Sequence, residues 1–361
     1  MTDQFSQRLL AWFDLHGRKT LPWQHEISPY RVWISEIMLQ QTQVATVIPY
    51  YQRFMDSFPT LEALAAARVD DVLAHWSGLG YYARGRNIHK AAKQIQALHG
   101  GEFPSEIDQV IELPGIGPST AGAILSIAFQ QRHAILDGNV KRVLTRHGAI
   151  QGHPALAAVN KQLWARAEEY TPELRLDDYT QAIMDLGATL CTRSRPKCER
   201  CPVAADCEGL QSGEPTAFPT RKAKTKSYRW KEAFMPLVIV DDRVYVEKRP
   251  PSGIWGGLWS LPQFESSEEL DSWLSSRGVL TKDGVRQPEL KHQFSHFGLK
   301  ITPIIFRLSA ENAVSQGTIA DCEASHWLTI PTAEDPSVLD QFGLAAPVKQ
   351  ILIRNINGSH S

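Results

Sequence analysis

The sequence lacks any apolar run approaching the ~20 residues that a helix needs to span a bilayer, so no membrane role is expected. It also lacks net charge. Its 38 Lys and Arg against 39 Asp and Glu leave −1 at pH 7, so bulk charge does not advertise a nucleic-acid binder. The opening stretch "MTDQFSQRLLAWF" carries an acid at Asp3 and has no basic n-region, and so does not read as a secretory signal. A cytoplasmic protein is expected. No internal repeat is present. Cysteine is scarce, with five in 361 residues, and disulfides are rarely kept in that compartment.

The remaining composition is that of an ordinary globular protein, 43% hydrophobic and 21% charged, and the length allows two domains with a core each. Residues 1–210 read mostly as helices. "SPYRVWISEIMLQQTQVATVIPYYQRFM", "TLEALAAARVDDVLAHW" and "ARGRNIHKAAKQIQALHG" carry apolar residues at helical spacing and end in Gly or Pro signals. Residues 211–232, "QSGEPTAFPTRKAKTKSYRWKE", lose that period and read as a basic linker. From 233 to 361 the pattern turns to short β-type runs, "FMPLVIV", "RVYVEKR", "LWSLPQF" and "LKITPIIFRL", with one helix in "SEELDSWLSSRG". The expected fold class is therefore multidomain, an all-helical domain followed by an α+β domain.

Local charge is less even than the total. Basic groups gather in "YYARGRNIHKAAK", "NVKRVLTRH" and "CTRSRPKCER", and "RKAKTKSYRWK" holds no acid. Such patches can track phosphates, although a solvated face is the commoner meaning of each taken singly. Four of the five cysteines fall within residues 191–207, at Cys191, Cys198, Cys201 and Cys207. Clustered thiols in a cytoplasmic chain argue for a metal, and thiolates suit zinc or an iron–sulfur cluster. Only one Cys-x-x-Cys pair is present, where zinc sites usually have two, and four thiolates also suffice for a 4Fe-4S cluster. Both metals stay open on these residues alone. Cys322 stands apart and reads as a small buried hydrophobe.

In "ELPGIGPSTAGAIL" a turn with Gly115 and Gly117 leads into a helix, and the preceding "SEIDQVIEL" is itself helical, giving helix, hairpin, helix. Glycine lets backbone turn tightly and approach a ligand closely. The free amides of the new helix favour an anion such as phosphate, and contacts of that kind position a protein on DNA without reading sequence. Two carboxylates stand out. Glu36 is flanked by Val32, Trp33, Ile34, Ile37, Met38 and Leu39, so partial burial and a raised pKa are expected, which is what a general acid needs. Asp137 sits between an apolar run and a helix. There it can serve as an N-cap that stays ionised. One protonated and one charged carboxylate form the pair that cleaves glycosidic bonds.

Taken in order, "VWISEIMLQQTQVATVIPYY", "GLGYYARGRN", "LPGIGPSTAGAIL", "LDGNVKRVL", the four-cysteine loop and "FSHF" give the chain a resemblance, over essentially its full length, to the adenine DNA glycosylases of the MutY type. The resemblance implies a helix-hairpin-helix glycosylase domain with a 4Fe-4S cluster, then a Nudix-like lesion-recognition domain. It implies a substrate of adenine opposite 8-oxoguanine or guanine in double-stranded DNA, flipped out of the stack for reaction. By the same resemblance Glu36 protonates the departing adenine, Asp137 stabilises or captures the sugar cation, and Asn139 lies near that sugar. Gln41 and Tyr81 match residues that wedge into the stack. Ser295 and His296 match a loop that inspects 8-oxoguanine. Cys191, Cys198, Cys201 and Cys207 hold the cluster, and the protein acts as a monomer, nucleoid-associated when at work.

The related endonuclease III enzymes place a lysine where this chain has Ser119, and its amine forms a Schiff base with the sugar. A serine hydroxyl cannot form an imine, so base release without strand cleavage is expected, with water as the final nucleophile. The nearby Lys141 leaves room for weak opportunistic cleavage. The stretch through "SWLSSRG" lacks the acidic set of an active Nudix hydrolase, so no pyrophosphatase activity is expected. Two other readings compete: a bifunctional glycosylase/lyase for oxidised pyrimidines, disfavoured by Ser119, and a non-catalytic DNA-binding or redox-sensing iron–sulfur protein.

Overall fold

The computed structural model describes residues 2–221, 228–294, 297–308, 325–331 and 336–356. By contacts the chain divides into Met1–Ala66 with Asn87–Lys224, and Ala67–Arg86 with Thr225–Ser361.

The first unit is helical. It contains α1 (Thr2–His16), α2 (Pro29–Leu39), α3 (Val44–Ser57) and α4 (Leu61–Ala66). The helical run around Gln40 forms two helices, because Gln41 takes a left-handed φ of 56° and stops α2. Ser28 caps α2, its hydroxyl accepting from the Arg31 amide at 3.2 Å, and Pro29 occupies the first helical position, where a missing N–H costs nothing. Then come α5 (Val69–Trp76), which belongs to the second unit, α6 (Ala83–Leu98), α7 (Ile107–Ile111), α8 (Pro118–Phe129), α9 (Gly138–His147), α10 (Ala157–Tyr170) and α11 (Leu176–Asp185). α7 and α8 with their turn form the hairpin read from the sequence. A π turn over Leu186–Leu190 carries α11 on to Cys191. Phe5, Leu9, Leu136, Val140, Leu144, Ile183 and Leu186 share one core. Asp185, fully buried, is satisfied by the Arg18 backbone amide at 2.8 Å, the Arg18 Nε at 3.0 Å and the Gln181 amide at 3.0 Å.

The second unit is built on a mixed sheet of β1 (Arg229–Val240), β2 (Arg243–Lys248), β3 (Trp259–Ser260), β4 (Val285–Arg286), β5 (Leu290–Gln293), β6 (Phe297–Leu308) and β7 (Ser325–Thr329). β1 and β6 run parallel from Arg229↔Phe297 to Val240↔Leu308, and the other pairings are antiparallel. From Ala233 onward β1 reads as continuous apolar sequence because both its faces are covered there. Phe234 packs on one cluster with Leu270 and Leu274 of α12 (Ser267–Ser275), while Ala233, Met235, Leu237 and Ile239 face a larger core with Val348, Ile351 and Leu352 of α13 (Ala346–Ile356). Leu73 belongs to the larger of these cores, with Val69 and Tyr82 against it. β1 begins inside the stretch read as linker, since pairing with β6 satisfies its backbone from Arg229 onward.

Candidate active site and cysteine cavity

Glu36 lies on α2 with Val32, Trp33, Ile34, Ser35, Ile37 and Met38 buried around it. It keeps partial solvent access yet is densely surrounded by protein. Burial pushes its carboxyl up to about 8, and the negative charge of Asp137 adds to the rise. The two carboxylates, a hundred residues apart in sequence, therefore act on one another within the first unit.

Asp137 is the N-cap of α9. Its Oδ1 accepts from the Val140 amide at 2.7 Å, and its Oδ2 accepts from the Asn139 side-chain amide at 3.1 Å. An N-cap alone would lower a carboxyl pKa, but here burial wins and Asp137 is raised, against the opposing hydrogen bonds and the Arg142 charge. With these donors and Arg142 beside it, Asp137 is the better placed of the two to carry charge, and Glu36 the better placed to hold a proton. Asn139 is fixed in turn. Its Oδ1 accepts from Arg142 Nη2 at 2.9 Å, and Arg142 also donates to the carbonyls of Gly187 at 2.7 Å and Cys191 at 2.7 Å.

The hairpin supports this loop. Gly122 of α8 has no room for a Cβ, which would stand 2.5 Å from the Ala134 carbonyl, so α8 lies directly against the segment leading to Asp137. Ser119 is not a free nucleophile. Its hydroxyl accepts from the Leu136 amide at 2.9 Å. Gln40 joins α2 to α8 by donating to Thr120 Oγ1 at 3.3 Å. In the turn, Gly115 is needed for its φ of 84° and because a Cβ would crowd Asn87 at 2.9 Å. Gly117 needs neither, with an ordinary φ of −102° and open space around it. Both glycines are exposed, and Ile116 between them is buried.

The basic patches resolve into different roles. Arg84 is buried over Trp76 and Tyr81 and donates to the Gly80 carbonyl at 3.1 Å. Arg86 donates to the Gly256 carbonyl. Arg142 and Arg146 are likewise turned to backbone carbonyls inside the first unit. These four are thus bound to backbone carbonyls rather than standing on an open solvated face. By contrast Arg193, Arg195, Lys197 and Arg200 in the cysteine loop are exposed.

Cys191, Cys198, Cys201 and Cys207 line one cavity with Val143, Leu186, Leu190, Val203 and Leu210. Among the described residues no group of three or more His, Cys, Asp or Glu side chains is placed to hold a metal ion. The thiols stand around the cavity wall. Burial and mutual repulsion push the Cys201 thiol up to about 12.

Gln41 is exposed and left-handed. In the second unit Tyr81 is 49% exposed with a φ of 50°. Neither is packed as core, and strained exposed residues are a mark of functional loops. Tyr82, in contrast, packs on the core. Ser295, His296 and Cys322 lie outside the described residues. Sequence reasoning missed Arg142 and the Leu136 amide. Both act through tertiary contacts that no local pattern announces.

Residues 34–169 match the family described as HhH-GPD superfamily base excision DNA repair protein, and residues 235–354 match the NUDIX domain. Fold and site together define a helix-hairpin-helix base excision repair protein with a Nudix-type second domain. The adenine DNA glycosylase of Buchnera aphidicola (subsp. Baizongia pistaciae) is 41% identical over 99% of this chain and 98% of its own length. The human adenine DNA glycosylase is 35% identical, covering 90% of this chain and 70% of that protein. The chain belongs to the adenine DNA glycosylase family. Its helical part is similar to a thermostable thymine-DNA glycosylase, with 26% identity and a TM-score of 0.54 over 58% of this chain and 97% of that one. A trapped endonuclease III–DNA covalent intermediate shares the fold at 20% identity and a TM-score of 0.50 over 59% of this chain and 98% of that one.

Proposed function

We propose that this chain is a monofunctional DNA glycosylase that hydrolyses the N-glycosidic bond of adenine opposite 8-oxoguanine or guanine in duplex DNA. The observation that carries this reading is the carboxylate pair, Glu36 pushed up to about 8 by burial and by Asp137, and Asp137 bound by the Val140 amide and the Asn139 side chain. Glu36 donates its proton to a nitrogen of the flipped adenine, so the base leaves neutral while the glycosidic electrons depart with it. Asp137, fixed by Val140 and Asn139, offers its negative charge to the oxocarbenium-like sugar. Water completes the hydrolysis. With a hydroxyl at Ser119 committed to the Leu136 amide, no amine is supplied there for imine formation, and the strand stays whole.

The four cysteines would hold a 4Fe-4S cluster, one thiolate for each iron, and their placement around a single apolar cavity suits that donor set. Bound there, the cluster would supply no acid, base or nucleophile, and the loop folded around it would present the exposed Arg193, Arg195, Lys197 and Arg200 for phosphate contact. The exposed hairpin with Gly115 and Gly117 offers backbone amides to phosphate. Gln41 and Tyr81 wedge into the stack, and the Nudix-type domain reads the lesion through Ser295 and His296 without pyrophosphatase activity.

End-labelled duplexes with one adenine opposite 8-oxoguanine, guanine or thymine, incubated with the protein and resolved with and without hot alkali, test the reading. Cleavage only after alkali, and mainly opposite 8-oxoguanine, is the expected result. Strand breaks without alkali would revive the lyase. No product from any duplex would move the weight to a binding protein.

A further inference from the structure

Arg146 sits in the last turn of α9, 2% exposed. Its guanidinium donates to four separate groups. Nη1 reaches the Thr192 carbonyl at 2.7 Å and the Cys191 sulfur at 3.4 Å, Nη2 reaches the Arg193 carbonyl at 2.8 Å, and Nε reaches the Phe218 carbonyl at 3.0 Å. Its own carbonyl accepts from the Cys207 thiol at 3.6 Å. Carbonyl dipoles solvate a cation without neutralising it. Among the described residues no ion pair includes Arg146, whereas Asp185, a fully buried carboxylate of the same unit, has Arg18. A buried cation left without counter-charge is strongly disfavoured.

The surroundings make the imbalance larger. Arg142, one turn earlier on α9, feels the positive charges of both Arg146 and Arg193. Lys197 also lines the cavity but is exposed, so solvent and salt screen it. The Asp206 carboxylate is taken by Arg8 and His147, and the groups able to carry negative charge that Arg146 itself touches or acts on are the thiols of Cys191 and Cys198. Neutral thiols would leave the arginine uncompensated. Four thiolates on an iron–sulfur core carry the net negative charge that balances it.

We propose that Arg146 is the buried counter-charge of the cluster, hydrogen-bonded to one ligand sulfur, and that it sets the cluster's reduction potential. This rests on the reading that Cys191, Cys198, Cys201 and Cys207 hold 4Fe-4S. The sign follows from electrostatics. A fixed positive charge beside the cluster favours its more reduced, more negative state, so Arg146 raises the potential.

The test uses full-length protein purified without oxygen, as wild type, Arg146→Lys and Arg146→Gln. Iron per chain, visible absorption and the midpoint potential by voltammetry are measured in the absence of DNA. Wild type without iron would fail the cluster reading itself, whatever Arg146 does. With iron present in all three, the potential of Arg146→Gln is expected to move to more negative values, and that of Arg146→Lys to stay closer to wild type. An iron-loaded Arg146→Gln protein at the wild-type potential overturns the proposal. If the Gln variant takes up no iron, the Lys variant decides. Iron uptake by Lys supports a role for the charge. A Lys variant as empty as Gln overturns it, since the fork of hydrogen bonds would then be all that matters.

Discussion

The hydroxyl of Ser119, in the first turn of α8, accepts a hydrogen bond from the backbone amide of Leu136 at 2.9 Å. Leu136 immediately precedes Asp137, so one oxygen both withholds the amine chemistry of the lyase enzymes and holds the loop that carries the charged carboxylate. Ser119→Ala leaves a buried amide without its partner, which costs about 1–3 kcal/mol. Lower thermal stability together with slower base release is expected. Ser119→Lys should go further and give a borohydride-trapped protein–DNA adduct that wild type does not form. A wild-type adduct of equal yield would show that another amine, such as Lys141, performs that chemistry.

Glu36 gives a pH dependence whose direction is fixed by its pKa of about 8. Only the protonated carboxyl can donate, so base release should fall as pH rises through about 8. Glu36→Gln should reduce it by at least about 100-fold below about pH 8, with the difference shrinking above it as wild type loses its own proton. Stability also falls as pH rises, over a lower window. Below the ordinary value of 4.5 the carboxyl is neutral in both folded and unfolded chains. Between 4.5 and about 8 only the unfolded chain ionises, so wild type loses stability across that window. Glu36→Gln should therefore melt above wild type at pH 8, with the gap closing toward pH 5. Melting curves that keep a constant gap would rule out a raised Glu36 as its cause.

Arg142 joins Asn139 to the carbonyls of Gly187 and Cys191. Arg142→Ala removes all three contacts and leaves the Asn139 oxygen and two carbonyls unsatisfied. Asn139 is a donor to Asp137, so the expected loss is in single-turnover base release, with affinity for duplex DNA changing less than about tenfold. Equal losses in rate and affinity would place Arg142 among the DNA contacts instead.

How far the sequence discloses all this differs from element to element. The break into two domains and the hairpin are legible because period and turn residues are local properties, as in "SEIDQVIELPGIGPS". Glu36 is legible because no face of its helix is polar. The division between α2 and α3 is not, since Gln41 enters the left-handed region that most non-glycine residues avoid. Arg146 and Arg142 read from the sequence as members of a basic patch. Burial turns them inward, and burial is decided by residues tens of positions away, at Gly187, Cys191 and Phe218. The short strands β4 and β7 escape for the same reason. Neither has enough residues to show a period, and each exists through its partner, β6 or β2.

The hairpin glycines separate folding from binding. Gly115→Ala places a Cβ 2.9 Å from Asn87 on a backbone with φ of 84°, so it should destabilise the protein by about 1–3 kcal/mol and lower its melting temperature. Gly117→Ala meets nothing within 4 Å and has an ordinary backbone, so its melting temperature should match wild type. The same exposed position is where phosphate would approach the first amides of α8, and a methyl group there stands in the way. Gly117→Ala is accordingly expected to weaken duplex binding at unchanged stability, uniformly across adenine opposite 8-oxoguanine, guanine or thymine, since phosphate contacts carry no sequence information. Unchanged affinity on all three duplexes would mean that DNA does not approach this turn.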